Sequence, residues 1–207
     1  MPARVKLCLA SSNPGKLAEF RALAEARESG SRAKKDAEIE LLPGFDSLPS
    51  FEEDAPTFAE NAAGKALRYS RIADGLVFAD DSGLVVPALG GAPGVRSARY
   101  AGPNATNAER IAKLLGELRG KLGAERAAHF VCAIALAERG RALAVVAARV
   151  DGEILESPQG GGGFGYDPVF YFPPLKRTFA ELLPQDKNQI SHRGKAFRKM
   201  LTGLGCL

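Results

Sequence analysis

The sequence has few cysteines and no long apolar run. Its 207 residues include three cysteines, Cys8, Cys132 and Cys206, which lie far apart in the chain. Two of them lie inside apolar, strand-like segments, which favours buried reduced thiols over a disulfide framework or a zinc site. The longest apolar runs, such as residues 130–137 and 142–148, are far shorter than the ~20 residues that span a bilayer. We therefore expect a core without disulfides or structural metals, and no membrane segment.

The excess of positive charge is also small. The chain has 28 Lys and Arg against 24 Asp and Glu, a net charge of +4 at pH 7. The basic residues from Arg32 to Lys35 lie in a polar segment that is typical of a solvated loop. The acids at 52–54 and 80–81 oppose a continuous track for nucleic-acid phosphates, so we expect no nucleic-acid partner. The first residues have charges and a strand pattern instead of an apolar signal segment, which predicts a cytoplasmic location.

Segments of strand and helix character alternate along most of the chain, with no repeat and no clear linker, which predicts an α/β fold. Residues 5–10 form the first predicted strand and residues 16–27 the first predicted helix. Thr57 and Thr106 are each followed three residues later by a glutamate, the capping-box pattern of a helix start. The helix after Thr57 is expected to bury one side, including Ile72.

Two adjacent acids follow an apolar, strand-like segment. Residues 77–83 have the sequence Val-Phe-Ala-Asp-Asp-Ser-Gly, which predicts Asp80 and Asp81 at the end of a strand, before a tight turn at Gly83. Adjacent side chains on a strand point to opposite faces, so at least one of the two carboxylates is expected to be presented for chemistry. An ordinary turn cap is the alternative.

The loop that follows Ala10 has the features of an anion site. Backbone amides, a helix N-terminus and Lys16 come together there, and such a point attracts phosphate. It is not a Walker A loop, because Ala10 stands in place of the first glycine and Leu17 in place of the magnesium-binding Ser or Thr. The alternative is a simple helix start, with Asn13 as turn residue and Pro14 near the first helical position.

Three acids precede the helix that begins after Thr57. Acids at a helix N-terminus are favourable without any function. The three acids are Glu52, Glu53 and Asp54. The functional alternative is that one of the two glutamates meets Asp81 across a cleft and completes an oxygen ligand set for magnesium. Asn61 and Lys65, four residues apart on that helix, would line the same wall of the cleft.

Four glycines at 160–163 precede a compact aromatic and acidic segment. Free backbone dihedrals, the aromatic plane of Phe164 and the carboxylate of Asp167 suit a loop that closes over a planar ring. A flexible connector is the alternative. Further along the chain, His192 opens the last predicted helix shortly after Lys187, which places donors of different shapes near one helix start.

Six segments in this order resemble the inosine and xanthosine triphosphate pyrophosphatase family: residues 11–16, 57–66, 79–83, 90–102, 162–168 and 187–193. The resemblance spans nearly the whole chain. It implies hydrolysis of deaminated purine nucleoside triphosphates (ITP, dITP and XTP) to monophosphate and pyrophosphate, with Mg2+ as cofactor. It also implies one two-lobed α/β domain over residues 1–207, a long bent mixed central sheet flanked by helices, an active-site cleft between the lobes, and a homodimer.

The resemblance further implies roles for individual residues. Asp81 would bind magnesium and act as general base, with Glu52 or Glu53 as the second metal-associated carboxylate. The triphosphate would be held by Ser11, Ser12, Asn13, Pro14, Gly15 and Lys16. Ser82 would touch the substrate. The purine would stack on Phe164, in a pocket shaped by Gly165, Tyr166 and Asp167. The base edge would be contacted by Lys187, His192 and Arg193.

The base edge also suggests how ATP is rejected. Hypoxanthine and xanthine present the acceptor O6 where adenine presents an amino donor, so donors such as Arg193 or Lys187 would be left unpaired by ATP. An unpaired buried donor costs about 1–3 kcal/mol. Two other interpretations remain open: a related pyrophosphatase for modified pyrimidine or 7-methylated nucleotides, and a magnesium-independent nucleic-acid-binding protein.

Overall fold

The computed structural model describes residues 3–11, 13–25 and 35–206. Its strands form one mixed sheet flanked by helices, which confirms the predicted α/β class. In chain order the strands are β1 (Ala3–Leu9), β2 (Lys35–Leu41), β3 (Leu76–Val85), β4 (Ala127–Glu138), β5 (Arg141–Ile154), β6 (Phe170–Phe172) and β7 (Arg177–Thr178). The helices are α1 (Pro14–Glu25), α2 (Phe58–Ser70), α3 (Asn107–Glu117), α4 (Pro184–Ile190) and α5 (His192–Gly203).

The strands are ordered β2-β1-β3-β4-β5-β6-β7 across the sheet. β1 is parallel to both of its neighbours, whereas β6 is antiparallel to β5 and to β7. In the parallel pair, Leu9 of β1 lies opposite Phe78 of β3. β1 ends at Leu9, whereas β3 continues for seven residues beyond Phe78. The chain that leaves β1 and enters α1 therefore lies near the middle of β3, where the two acids are. This register allows α1 to contact the acids of β3.

Helices α2 and α3 begin at the predicted caps. The Thr57 hydroxyl accepts a hydrogen bond from the Glu60 amide at 3.2 Å. Thr106 and Glu109 form a complete capping box, in which the Glu109 carboxylate accepts from the Thr106 amide at 2.7 Å. The expectation for Ile72 is wrong, because α2 ends two residues before it and the side chain is 63% exposed.

The chain divides into two compact units. The first comprises Met1–Asp81, Cys132–Ala148 and His192–Leu207, and the second comprises Ser82–Val131 and Arg149–Ser191. That residues 1–207 act as one domain stays a prediction.

The core of the first unit is built around three buried phenylalanines. Phe20 of α1 packs edge-on against Phe78 of β3, with ring centroids 5.1 Å apart, and against Phe197 of α5 at 4.9 Å. Apolar side chains of β1 and β4 surround them. The three cysteines are buried, as expected. This core attaches α1 and α5 to β3, the strand that carries the two acids.

The second unit has its own aromatic core. Phe170 of β6 packs against Phe130 of β4 at 4.5 Å and against Phe179 at 4.9 Å between ring centroids. The buried Arg126 side chain donates to the carbonyls of Ile154 and Leu155 at 2.6 and 2.8 Å. Among the described residues, no helix combines the length and the apolar character needed to cross a membrane. Residues 32–34 of the predicted basic loop lie outside the described ranges.

Candidate active site

The two acids lie inside β3, not at its end. The strand continues to Val85, so the predicted turn at Gly83 is wrong, because the apolar residues after the glycine extend the strand pattern. Asp80 is fully buried and Asp81 is 6% exposed. The expectation that at least one of them would be presented at a strand end is therefore also corrected. Buried carboxylates need charged or hydrogen-bonding partners, and both have them.

Asp80 is surrounded by cations of the first unit. The Lys16 ammonium donates to Asp80 Oδ1 at 2.9 Å, and Arg193 Nε lies 3.6 Å from Asp80 Oδ2. The Arg193 guanidinium also contacts the Glu19 carboxylate. Burial by itself would raise the pKa of Asp80, but the charges of Lys16, Arg193 and Lys65 outweigh burial and hold this pKa well below its usual range. Asp80 is therefore expected to be ionised at neutral pH.

Asp81 behaves in the opposite way. Burial, followed by the negative charge of Glu53, raises the pKa of Asp81 to about 6, and the hydrogen bond from Asn61 only partly opposes this rise. The Asn61 amide donates to Asp81 Oδ2 at 2.9 Å. A carboxylate that takes up a proton near neutral pH is suited to general base catalysis. The charge of Glu53 thus makes the electrostatic potential at Asp81 more negative.

Of the two neighbouring glutamates, Glu53 is the one linked to these acids through Lys65. Glu53 contacts the ammonium of Lys65, whose Nζ also donates to the backbone carbonyl of Asp80 at 2.9 Å. Burial alone would lower the pKa of Lys65, but the acids Asp80 and Glu53 outweigh it and raise that pKa. Glu52 is exposed. The structure thus separates two neighbouring residues that sequence reasoning left equivalent.

The loop before α1 is a capped helix start. The side-chain oxygen Oδ1 of Asn13 accepts from the backbone amides of Gly15 at 2.9 Å and Lys16 at 3.4 Å. The backbone amide of Asn13 donates to Ser11 Oγ at 3.1 Å. These amides were expected to be available for phosphate, and instead Asn13 satisfies them, as asparagine commonly does at this position. Pro14 is the first residue of α1. Ser12 lies outside the described residues.

In the second unit, Asp167 organises the glycine-rich loop. Its Oδ2 accepts from the Lys187 ammonium and from the Phe164 amide, both at 2.7 Å. The Lys187 ammonium lies 4.7 Å from the centroid of the Phe164 ring, which is 41% exposed. A Cβ on Gly163 would lie 2.2 Å from Asp167 Oδ2, so the close approach requires glycine. The loop therefore holds a half-exposed aromatic ring beside a buried ion pair.

The other predicted residues have mixed positions. Tyr166 is buried and its hydroxyl donates to the Ser97 carbonyl at 2.9 Å. Gly165 has a left-handed backbone with φ of 63°, and Ser82 is half-buried in β3. His192 begins α5 and is buried. Of the three predicted base-edge donors, His192 and Arg193 thus belong to the first unit, whereas Lys187 belongs to the second.

Sequence reasoning missed Glu19 as a member of the site. It lies three residues after Lys16 on α1, so the two side chains occupy one helix face, and this spacing was the available signal. Its contact with Arg193 spans 174 residues of sequence and could not be predicted from local pattern.

Two buried acids on β3 with Lys16 and Lys65 beside them are suited to phosphate chemistry, because lysine binds phosphate and carboxylates bind magnesium. The family model described as the Ham1 family matches residues 7–203. The chain belongs to the Ham1 family. This confirms the resemblance found in the sequence, because relatives of the chain are named dITP/XTP pyrophosphatase.

Two such relatives cover almost the whole chain. The dITP/XTP pyrophosphatase of Geobacillus kaustophilus is 52% identical over 195 residues, 94% of this chain and 92% of its own length. That of Coxiella burnetii is 46% identical, over 97% of this chain and 96% of its own. Among solved structures, a HAM1 protein from Coxiella burnetii has a TM-score of 0.83 at 44% identity, covering 97% of this chain and 98% of its own. The Staphylococcus aureus Ham1 protein has a TM-score of 0.82 at 36% identity, covering 96% and 97%.

Proposed function

We propose that the protein hydrolyses deaminated purine nucleoside triphosphates (ITP, dITP and XTP) to nucleoside monophosphate and pyrophosphate, and so cleanses the nucleotide pool. The observation that carries the proposal is the pair of adjacent acids on β3, with Asp80 held anionic by cations and Asp81 raised toward neutral pKa beside Glu53. The names and high identity of the relatives support the substrate class. A cytoplasmic location and a homodimer are part of the proposal.

Asp81 and Glu53 would hold a magnesium ion. Their carboxylates are the hard oxygen donors that magnesium favours, and it is commonly bound by one or two carboxylates together with substrate phosphates. The effect of Glu53 on the pKa of Asp81 supports this fit, since a divalent cation would relieve the repulsion. When bound, magnesium would neutralise phosphate charge and acidify a coordinated water.

The chain's own groups would carry the proton and orient the phosphates. Asp81 would accept a proton from the water that attacks the α-phosphorus, and pyrophosphate would leave. An ammonium has three N–H groups, so Lys16 can donate to a phosphate while it keeps its bond to Asp80. The loop residues Ser11 to Lys16 would bind the triphosphate, with the Asn13 side chain giving up amide bonds to do so.

The second unit would bind the base. The exposed ring of Phe164 offers a stacking surface. The Asp167 carboxylate accepts hydrogen bonds from the Phe164 backbone amide and from the Lys187 ammonium, and so fixes both groups. Lys187 would then donate to O6 of hypoxanthine or xanthine. The remaining proposed substrate contacts are Ser82, Gly165, Tyr166, His192 and Arg193.

A substrate panel tests this proposal. Initial rates with magnesium would be measured on dITP, ITP, XTP, ATP, GTP, a modified pyrimidine triphosphate and 7-methyl-GTP at equal concentration. We expect the first three to be cleaved fastest, with ATP slower by about tenfold or more for each donor left unpaired. Preferential cleavage of the pyrimidine or 7-methylated nucleotide would replace the proposed substrate class with the alternative one.

A further inference from the structure

Lys65 of α2 is a buried cation to which the proposed chemistry assigns no role. Its side chain is 9% exposed, and lysine is rarely buried unless it is paired. The ammonium makes two contacts of different kinds, one with the Glu53 carboxylate and one with the backbone carbonyl of Asp80 at 2.9 Å. It thereby joins the segment before α2 to the strand that carries Asp81.

Asn61, one helical turn earlier, makes a parallel connection. Its side-chain oxygen accepts from the Ala55 amide at 3.0 Å, and its side-chain nitrogen donates to Asp81 Oδ2 at 2.9 Å. Residues four apart on a helix share one face, so Asn61 and Lys65 form a two-point clamp between residues 53–55 and β3. The clamp is made by side chains, because Glu53 itself lies outside the helices and strands.

We propose that Lys65 is a positioning residue, which fixes the Glu53 carboxylate beside Asp81 and offsets the repulsion between the two acids. The inference rests on the proposed function, in which these two carboxylates hold the metal. The negative charge of Glu53 acts on Asp81, and two like charges repel each other unless a positive charge compensates. Glu53 lies outside the helices and strands, so its side-chain contact with Lys65 ties it to α2. Lys65 supplies both the compensating charge and a rigid anchor on α2 and β3.

The first test compares Lys65→Met with Arg68→Met. Arg68 lies on the same helix, carries the same charge and is exposed. With dITP as substrate, Lys65→Met should lower kcat about 10- to 100-fold and raise the magnesium concentration for half-maximal rate, as loss of a residue that orients a metal ligand does. KM for dITP should change far less than kcat. Arg68→Met should match the wild type in all three quantities.

The second test asks whether Lys65 acts through Glu53. If it does, the variant that combines Lys65→Met with Glu53→Gln should be no slower than Glu53→Gln alone. If the losses of kcat in the two single variants instead multiply in the double variant, Lys65 acts independently of Glu53 and the inference is overturned. A readout without turnover is the rise in melting temperature when magnesium is added to nucleotide-free protein, which should be smaller for Lys65→Met than for Arg68→Met.

Lys65→Gln serves if Lys65→Met does not fold. It keeps a donor for the Asp80 carbonyl and removes the charge, and the same loss of kcat and the same higher magnesium requirement are expected. The inference is overturned if the wild type cleaves dITP and a folded Lys65 variant has the same kcat and the same magnesium requirement as the wild type. A wild type that cleaves no deaminated nucleotide would instead remove the proposed function on which the inference rests.

Discussion

Replacing Asp81 with asparagine should abolish turnover and at the same time stabilise the metal-free protein. The rate loss follows from removal of the proposed base, a group whose contribution is about 10²- to 10⁴-fold, together with a metal ligand. The stabilisation follows from the cost of burying this carboxylate beside Glu53. An introduced amide has nearly the same shape, can still accept from Asn61, and carries no charge to be repelled.

The size of the stabilisation follows from the pKa of Asp81. This pKa is about 6 in the folded protein against an ordinary value of 3.8, a gap that corresponds to about 3 kcal/mol. Because the folded state binds the proton more tightly, ionising Asp81 destabilises the fold, and stability falls as the pH rises from about 4 to beyond 6. Asp81→Asn should therefore gain up to about 3 kcal/mol at pH 8, or roughly 6–12 °C in melting temperature. The gain should vanish near pH 4.

Thermal unfolding followed by circular dichroism in EDTA, from pH 4 to pH 8, measures this gain. Asp80→Asn is the matched control, since it changes the neighbouring residue in the same way. It should destabilise the protein at pH 8, because it removes the anion that pairs with Lys16 and one of the two acids beside the buried Arg193. An Asp81→Asn protein that melts at or below the wild-type temperature at pH 8 would refute the reasoning, as would a gain that does not depend on pH.

Three further predictions concern Arg193 and Glu53 of the first unit and Asp167 of the second. Arg193→Met should lower the melting temperature strongly, because breaking a buried ion pair costs about 3–5 kcal/mol. Lys195→Met, on the exposed side of α5, should change it little. Equal melting temperatures of the two variants would contradict the ion-pair geometry. Glu53→Gln should raise the magnesium requirement for dITP cleavage and Glu52→Gln should not, and the reverse result would reassign the second carboxylate. Asp167→Asn should raise KM for dITP more than it lowers kcat, because it loosens Lys187 and the Phe164 loop; a loss confined to kcat would place Asp167 in the chemical step.

Local signals predicted the parts of the fold that depend on local energetics. Thr57 and Thr106 were recognisable as caps because the stabilising hydrogen bonds lie within three residues. The end of β3 was misjudged because Ser82 and Gly83 have turn propensities that the surrounding sheet overrides. Ile72 was misjudged for a related reason, since periodicity does not show where a helix stops.

The candidate site was only partly predictable for a different reason. Two adjacent acids after an apolar strand drew attention to Asp80 and Asp81, and the family resemblance singled out Asp81, but the environment of both is set by residues far away in sequence. Lys16 lies 64 residues before Asp80. Glu53 differs from Glu52 by its contact with Lys65. The alternation of side chains along a strand could not predict this difference, because both glutamates lie outside the helices and strands.

The most direct test of the account is the identity of the product released from dITP. Wild-type protein with magnesium would be incubated with dITP, and pyrophosphate, orthophosphate and dIMP would be quantified separately. Attack on the α-phosphorus predicts one pyrophosphate for each dIMP, loss of both products in Asp81→Asn, and no orthophosphate beyond background. Release of orthophosphate with dIDP, or turnover that persists in Asp81→Asn, would contradict it.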